Sequence, residues 1–355
     1  MAGAMVPLHA AAGEDVDAFL ARWRKAAPGR DGAAETVAAL ARATAEIAGI
    51  VRLGPLAGAL GAAAGGANAD GDVQKKLDVL ANDAVLKALR ACPAVAYYAS
   101  EEEDEIQSLR ADGGYAVAVD PLDGSSNIDA NTSIGTIFSV YPASPDGATG
   151  SFFRPGSEQV AAGYAIYGPY SALVLTLGEG VELFVLDPSG RYVRTDMLPS
   201  IPRTTREYAI NASNYRYWLE PVRDFIDDCI AGAEGPRAKD FNMRWLASLV
   251  GDTHRILSRG GVFLYPADKR PGYERGRLRL LYEAAPIALL VEQAGGDATD
   301  GLTRILDKIP GGLHERTPLV FGSSEKVARI VEHHSDSSHA RIRSPLFGQR
   351  GLFRA

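Results

Sequence analysis

The stretch Asp120-Pro-Leu-Asp-Gly-Ser-Ser-Asn127, entered from Tyr115-Ala-Val-Ala-Val119, decides how the rest of the chain reads. The five residues before Asp120 are small, β-branched or aromatic with no breaker among them, the pattern of a buried strand. That strand delivers Asp120 at its C-terminal end. Pro121 fixes its own φ and keeps Asp120 out of helical geometry, and Gly124 accepts φ > 0, so a sharp turn is expected here. Across such a turn Asp120 and Asp123 can converge, with the Leu122 carbonyl between them, on a hard, oxygen-rich point suited to Mg²⁺ or Mn²⁺. Gly124, Ser125 and Ser126 then offer amides and hydroxyls that open toward a helix N-terminus, where an anion is favoured. The same residues also make an ordinary Asx turn with no chemistry. Local composition leaves the two readings level.

A second strand-like run, Val95-Ala-Tyr-Tyr-Ala99, leads through Ser100 into Glu101-Glu-Glu-Asp-Glu105. Consecutive acids are ordinarily a solvated face. These, however, begin where a strand ends, the edge of an α/β sheet that carries active sites. If the two strands are neighbours, Glu101 and Glu102 stand beside Asp120 and Asp123. Four carboxylates packed that closely repel strongly without cations, which argues for more than one metal.

Upstream, residues 14–25 and 33–50 have amphipathic helical spacing. Residues 53–71 are almost entirely Gly and Ala, costly to order, and read as a mobile loop. The loop ends at Asp72, placed as an N-cap for a helix from Val73 to Arg90. In that helix Lys75, Asp78 and Asn82 share one face, and Val73, Leu77, Leu80 and Ala84 form the apolar face. Asp78 taken alone reads as a solvated surface acid.

Downstream, runs at 134–141, 160–167, 171–177, 181–186 and 191–193 are joined by short turns and predict an antiparallel or mixed sheet. Pro199-Ser-Ile-Pro202 marks a domain junction. The expected organisation is an N-terminal domain at 1–200 carrying most of the metal-site acids, a second at 201–335, and a tail at 336–355. In the second block helices at 221–231, 242–258, 287–293 and 325–332 alternate with strands at 261–265, 278–282 and 319–322. Glu283 falls between a strand and a helix start, repeating the geometry of the first site. Arg244, Tyr265, Lys269 and Arg270 supply positive charge for a second phosphate, although each alone is an ordinary surface residue. His333-His334 to His339 is a polar tract of irregular spacing rather than a metal motif.

At 355 residues with 46% hydrophobic residues, the chain is expected to form two domains sharing a large core. A formal net charge of −7 argues against nucleic acid as a partner, so phosphate recognition must be local and metal-assisted. Cys92 and Cys229 show no paired spacing, which suggests neither a disulfide framework nor a zinc site and fits a reducing cytoplasm. No long apolar run or export-type leader is present, and neither membrane insertion nor export is expected.

Taken together, these residues resemble class I fructose-1,6-bisphosphatase over nearly the whole chain. The Asp-Pro-Leu-Asp-Gly-Ser-Ser turn alone indicates the wider superfamily of metal-dependent sugar and inositol phosphatases. Gly71-Asp-Val-Gln-Lys-Lys-Leu-Asp78, Ala161-Ala-Gly-Tyr-Ala-Ile-Tyr-Gly168, Gly260-Gly-Val-Phe-Leu-Tyr-Pro266 and Leu278-Arg-Leu-Leu-Tyr-Glu283 narrow the resemblance. It implies an α/β fold, a layered α/β/α/β/α sandwich, and a homotetramer. By matching position it implies a site of two or three Mg²⁺, with Mn²⁺ as an alternative, held by Glu101, Asp120, the Leu122 carbonyl, Asp123 and Glu283. Asp72 joins when the glycine loop closes. Asp78 and Glu102 match the pair that deprotonates the attacking water, and Asp123, Gly124, Ser125 and Ser126 the binders of the 1-phosphate. Asn211, Tyr215, Arg244, Tyr265 and Arg277 match the sugar and 6-phosphate side.

The implied reaction is hydrolysis of the 1-phosphate of fructose 1,6-bisphosphate. Sedoheptulose 1,7-bisphosphate, an inositol or nucleotide phosphate, and a catalytically silent regulator remain as alternatives. Departures from the family pattern are informative. Trp245 stands at a common Tyr position, Arg277 replaces a Lys, and residues 271–275 do not align cleanly. In the AMP inhibitor site of the family Tyr115 is kept, but Gly114 and Pro142 stand where Lys and Arg would bind phosphate. Weak or absent AMP inhibition is therefore expected.

Overall fold

The computed structural model describes residues 13–67, 73–195 and 199–335. The chain divides into two units at residues 199/200, with 153–157 counted in the second. Each is a mixed sheet with helices. Among the described residues no helix is long and apolar enough to cross a membrane.

The first unit is built on eight strands. In chain order they are β3 (Val95–Ser100), β4 (Gln107–Ser108), β5 (Tyr115–Asp123), β6 (Ile134–Pro142), β7 (Ala161–Tyr167), β8 (Ser171–Thr176), β9 (Glu182–Leu186) and β10 (Tyr192–Arg194), preceded by a small ladder of β1 (Ala63–Ala67) and β2 (Val73–Lys75). The order across the sheet is β10-β9-β8-β7-β6-β5-β3-β4. Every neighbouring pair is antiparallel except β3 and β5, which run parallel. Their parallel register requires a crossover, and Ala116, Val117, Ala118 and Val119 are fully buried, as a strand covered on both faces demands. Helices α1 (Val16–Lys25), α2 (Asp31–Leu53) and α3 (Lys76–Arg90) place Phe19, Leu40, Ile47, Leu77, Val85 and Leu89 in one core with Val117, Phe138, Leu173 and Phe184. A short α4 (Gly147–Phe152) precedes β7.

The glycine-rich stretch carries more order than its composition predicts. Gly54–Ala57 forms a 3-10 turn, and Ala63–Ala67 pairs antiparallel with Val73–Lys75. Residues 68–72, the end of the expected mobile loop together with Asp72, lie outside the described residues. The helix expected from Val73 begins at Lys76, because residues 73–75 are committed to the ladder. Its apolar face is Leu77, Ala81, Val85 and Leu89, and Leu80 is exposed.

In the second unit β11 (Glu207–Ala209), β12 (Asn242–Met243), β13 (Val262–Tyr265), β14 (Leu278–Arg279), β15 (Asp297–Thr299), β16 (Arg316–Thr317) and β17 (Leu319–Gly322) alternate with α5 (Glu220–Ile230), α6 (Leu249–Arg259), α7 (Ala285–Gln293) and α8 (Ser324–Ser335). The five-stranded sheet has the order β12-β11-β13-β17-β15, and β14 pairs with β16 apart from it. Val262, Leu264 and Val320 pack with Phe225, Ile226, Val327 and Ile330 of α5 and α8, while Phe263 stacks on Phe321 at 5.0 Å. This is the period-2 alternation of strand side chains.

In this unit two boundaries differ clearly from the sequence expectation. The helix expected over 242–258 starts at Leu249: Ala247 has φ 57°, which no helix continues through, and Ser248 caps the new start by accepting the Gly251 N–H at 3.1 Å. The strand expected over 278–282 ends at Arg279, and Leu280–Ala284 forms a π turn leading into α7.

Candidate active site

Asp120 and Asp123 are placed by an irregularity in β5. Val119 pairs with Phe138 and Asp120 with Ile137, but Asp123 pairs with Gly135, so three steps on β5 match two on β6. The extra residue is a bulge, a device that re-aims side chains at sheet rims. The Thr136 hydroxyl pins it by donating to the Pro121 carbonyl at 2.8 Å, and the same oxygen meets the Tyr167 hydroxyl at 2.8 Å. Asp120 accepts the Leu122 N–H at 3.0 Å. The strand therefore continues through Asp123, and the sharp turn falls at Gly124, at the positive φ expected of it, with φ 77° and ψ 29°. The chain then makes a single 3-10 turn, Ser125–Asn127, in place of the expected helix N-terminus. Gly124 and Ser125 are half-buried there and Ser126 is exposed.

Both aspartates are buried, and each offers a carboxylate oxygen within 4.8 Å of the other's. Two carboxylates held this close away from water repel unless they share a cation or a proton. Their donors are hard oxygens, which suit a divalent cation of the Mg²⁺ or Mn²⁺ type.

The parallel pairing brings the second set of acids to the same edge. Ser100 lies opposite Val119, and the Glu101 N–H donates to the Val119 carbonyl at 3.0 Å, so Glu101 and Glu102 leave β3 beside the end of β5. Both are half-buried.

Asp78 comes from the first turn of α3. Its carboxylate accepts the Lys75 N–H at 2.7 Å, closing the helix start from inside. It is 3% exposed, not the solvated acid its isolated context suggests, and its Oδ1 has no hydrogen-bond partner among the described residues. Burial pushes its carboxyl up to about 6; the Lys75 N–H opposes the shift and the Glu102 carboxylate adds to it. A carboxyl tuned this way takes up a proton near neutral pH.

Asn82, one turn along α3, was given no role by the sequence beyond sharing a face with Asp78. In the structure it ties the two acid-bearing elements together. Its Oδ1 accepts from the Tyr98 hydroxyl at 2.7 Å and from the Ser100 hydroxyl at 2.8 Å, and its amide donates to Glu103 at 2.9 Å. Ser100 Oγ in turn accepts the Glu102 N–H at 3.2 Å. Only the i, i+4 spacing to Asp78 hinted at this.

In the second unit Glu283 is buried in the π turn, where its carboxylate accepts the Arg279 N–H at 2.6 Å. The widened turn, not a strand end, sets its direction. Asn211 caps the 3-10 turn Ala212–Tyr217, accepting from Ser213 N at 3.2 Å and Ser213 Oγ at 2.6 Å. The Tyr215 hydroxyl donates to Asp227 at 2.8 Å, a partner the sequence reading did not foresee. Arg244 is exposed and 3.8 Å from Glu207.

Tyr265, Arg270 and Arg277 do come together. Burial raises the Tyr265 hydroxyl, and the positive charges of Arg277 and Arg270 oppose that shift. Trp245 leans on Tyr265 at 6.1 Å and stacks on Phe263 at 5.6 Å. Lys269 is exposed. His333 approaches Asp228 at 3.6 Å within the second unit, and the tract beyond residue 335 lies outside the described residues.

Comparison with known proteins gives one answer along the chain. Residues 21–197 match the family described as Fructose-1-6-bisphosphatase, N-terminal domain, and residues 201–335 match its C-terminal domain. "Fructose-1,6-bisphosphatase class 1" of Methylobacterium radiotolerans is 54% identical over 351 residues, covering 98% of this chain and 99% of that protein. "Fructose-1,6-bisphosphatase class 1 1" of Bradyrhizobium sp. is 57% identical over 320 residues, covering 90% and 93%. Among solved structures, Leishmania major fructose-1,6-bisphosphatase in holo form is similar with a TM-score of 0.84 at 37% identity, covering 91% of this chain and 99% of that one. With acids gathered on one sheet edge and both domain families matched in order, the chain belongs to the fructose-1,6-bisphosphatase family.

Proposed function

We infer that this protein is a fructose-1,6-bisphosphatase, hydrolysing the 1-phosphate of fructose 1,6-bisphosphate to give fructose 6-phosphate and phosphate. The buried Asp120–Asp123 pair at the bulged end of β5 carries the reading. The family depends on divalent metal, and the finer assignment here is two or three Mg²⁺, with Mn²⁺ as the alternative, held by Glu101, Asp120, the Leu122 carbonyl, Asp123 and Glu283, with Asp72 contributing on closure. A bound cation supplies charge neutralisation and Lewis acidity to the phosphate.

The chain's own residues then have separable tasks. Asp78, its carboxyl raised to about 6, and Glu102 take the proton of the attacking water. The water oxygen bonds to phosphorus, the bond from phosphorus to the sugar O1 breaks, and its electron pair stays on O1, which is then protonated. Asp123, Gly124, Ser125 and Ser126 hold the 1-phosphate, and Gly124 turns the backbone at a positive φ that glycine takes without steric cost. Asn211, Tyr215, Arg244, Tyr265 and Arg277 serve the sugar and the 6-phosphate. In this reading residues 1–200 bring most of the metal ligands and 201–335 the substrate side. The assembly is a homotetramer acting in the cytoplasm, consistent with two buried free cysteines.

The relatives with half or more of their residues identical carry the fructose name, so sedoheptulose 1,7-bisphosphate as main substrate is not favoured. AMP inhibition is weak or absent. The Tyr115 hydroxyl donates to the Gly29 carbonyl at 3.2 Å, and Tyr115 itself lies between Gly114 and, across the ladder, Pro142, neither of which carries charge. The nearby Arg30 is paired with Glu179 and stacked on Trp23 at 4.5 Å. Two missing cationic partners cost a bound phosphate on the order of 2 kcal/mol each.

Phosphate release from fructose 1,6-bisphosphate, measured with Mg²⁺ and with or without AMP beside sedoheptulose 1,7-bisphosphate, tests all of this. Fast metal-dependent release that AMP at tens of micromolar leaves unchanged is expected. No release, or micromolar inhibition by AMP, would overturn the corresponding part.

A further inference from the structure

Residues 268–277 form two consecutive turns joined at Tyr273. Tyr273 N–H donates to the Arg270 carbonyl at 3.0 Å, and Gly276 N–H donates to the Tyr273 carbonyl at 3.0 Å. That same carbonyl accepts the Asp268 N–H at 3.2 Å, so the backbone at Tyr273 is held from both sides. Gly276 has φ 80°, and a Cβ there would lie 2.4 Å from Pro318 N, which fixes the entry of the chain into Arg277.

Side chains close the arrangement. The Arg270 guanidinium lies 3.9 Å from the centre of the Tyr273 ring, and its Nε donates to the buried Asp268 carboxylate at 3.0 Å. The Arg277 guanidinium lies 4.7 Å from the same ring, and its Nη1 donates to the Tyr273 hydroxyl. Arg270 is neutralised by Asp268 and bound to the scaffold. Among the described residues Arg277 donates its side-chain hydrogen bond to Tyr273, a neutral partner that orients it while leaving its charge available. A planar guanidinium seated on an aromatic face has already lost much of the rotamer freedom that binding a phosphate would cost it.

We propose that Tyr273 is a positioning residue that sets Arg277 for the phosphate at the non-reacting end of the substrate. The proposal rests on the reading of Arg277 as a 6-phosphate contact. Arg270, locked to Asp268 on the other guanidinium contact of the ring, serves as the fixed end of the stack. Tyr273 touches no reacting atom, so its effect must appear in bisphosphate recognition and not in the chemical step.

The test compares fructose 1,6-bisphosphate with fructose 1-phosphate, which lacks the distal phosphate, on the full-length enzyme. Tyr273→Leu is expected to raise KM for the bisphosphate about tenfold, the size of one weakened charge-assisted hydrogen bond, with kcat within about twofold. On fructose 1-phosphate the variant should match the parent. Tyr273→Phe, which keeps the ring and the fold, should show a smaller shift in the same direction. Tyr273→Leu combined with Arg277→Ala should be no worse than Arg277→Ala alone, because the tyrosine acts through the arginine. Equal loss on both substrates, or additive effects, would overturn the positioning role. If Arg277→Ala itself leaves the preference for the bisphosphate unchanged, the phosphate assignment falls and the proposal with it.

Discussion

Asp78 shows how a site residue can conflict with the stability of the domain that carries it. Its folded-state carboxyl sits near 6, against an ordinary value of 3.8 in the unfolded chain, with burial as the main cause. The folded state therefore holds a proton between about pH 4 and pH 6 that the unfolded state has released. Above pH 6 the ionised group is held at a cost, on the order of 2–3 kcal/mol. Lowering the pH through this window relieves it. Asp78→Asn should thus unfold at higher temperature than the parent at pH 7 in EDTA, and the gap should close as pH falls from 7 to 4. The same variant should lose activity by at least about 100-fold, as the proposed general-base role requires. A variant that gains no stability would remove burial as the cause of the shift. Little of this was legible in the sequence. The spacing put Lys75, Asp78 and Asn82 on one face, yet nothing local says that the face is dry, because dryness comes from β3 and β5 in a different part of the chain. For the same reason no motif marks what Asn82 and Tyr273 do: it is set by their partners.

At the scale of elements, the sequence carried most of the fold wherever one rule governed. Apolar runs became strands β5 to β9, and the adjacency of β3 and β5 suggested by the acids that follow each of them is found, as a parallel pair. Boundaries failed where two rules competed. Residues 73–75 have helical spacing but were captured by β1, and residues 280–282 look like strand but belong to a π turn, 280–284, that aims Glu283. The bulge in β5 was invisible because Pro121 reads as a turn residue and only the register with β6 reveals the extra step. Gly163 marks a further demand that composition hides. It sits in β7, inside the sheet, where a Cβ would lie 2.4 Å from the Phe138 ring and 2.8 Å from the Val174 carbonyl. Phe138 is fully buried and the carbonyl belongs to the neighbouring strand, so neither yields readily. Gly163→Ala should cost about 1–3 kcal/mol, in the range of overpacked cores. In urea its midpoint should drop with the slope unchanged, as expected when packing alone has altered.

For the molecule as a whole, the formal charge of −7 is unevenly spread: a run of five acids begins at the end of β3, beside the end of β5 that carries the Asp120–Asp123 pair. Self-repulsion concentrated there opposes folding, and a ligand that binds only the folded arrangement offsets it. Divalent cations should therefore be stabilisers of the protein as well as participants in its reaction. At a concentration about 100 times the dissociation constant, binding adds about 2.7 kcal/mol. Thermal unfolding in EDTA should move to higher temperature on adding excess Mg²⁺ or Mn²⁺, while the same ionic strength supplied as NaCl gives a smaller rise. Asp123→Asn separates screening from coordination. It removes one of the two buried charges, so its baseline in EDTA should be higher than the parent's, yet the added rise from Mg²⁺ should vanish together with phosphate release. A variant that kept the full Mg²⁺ rise would place the cations elsewhere on the acidic edge, and the pairing of Asp120 with Asp123 would need another explanation.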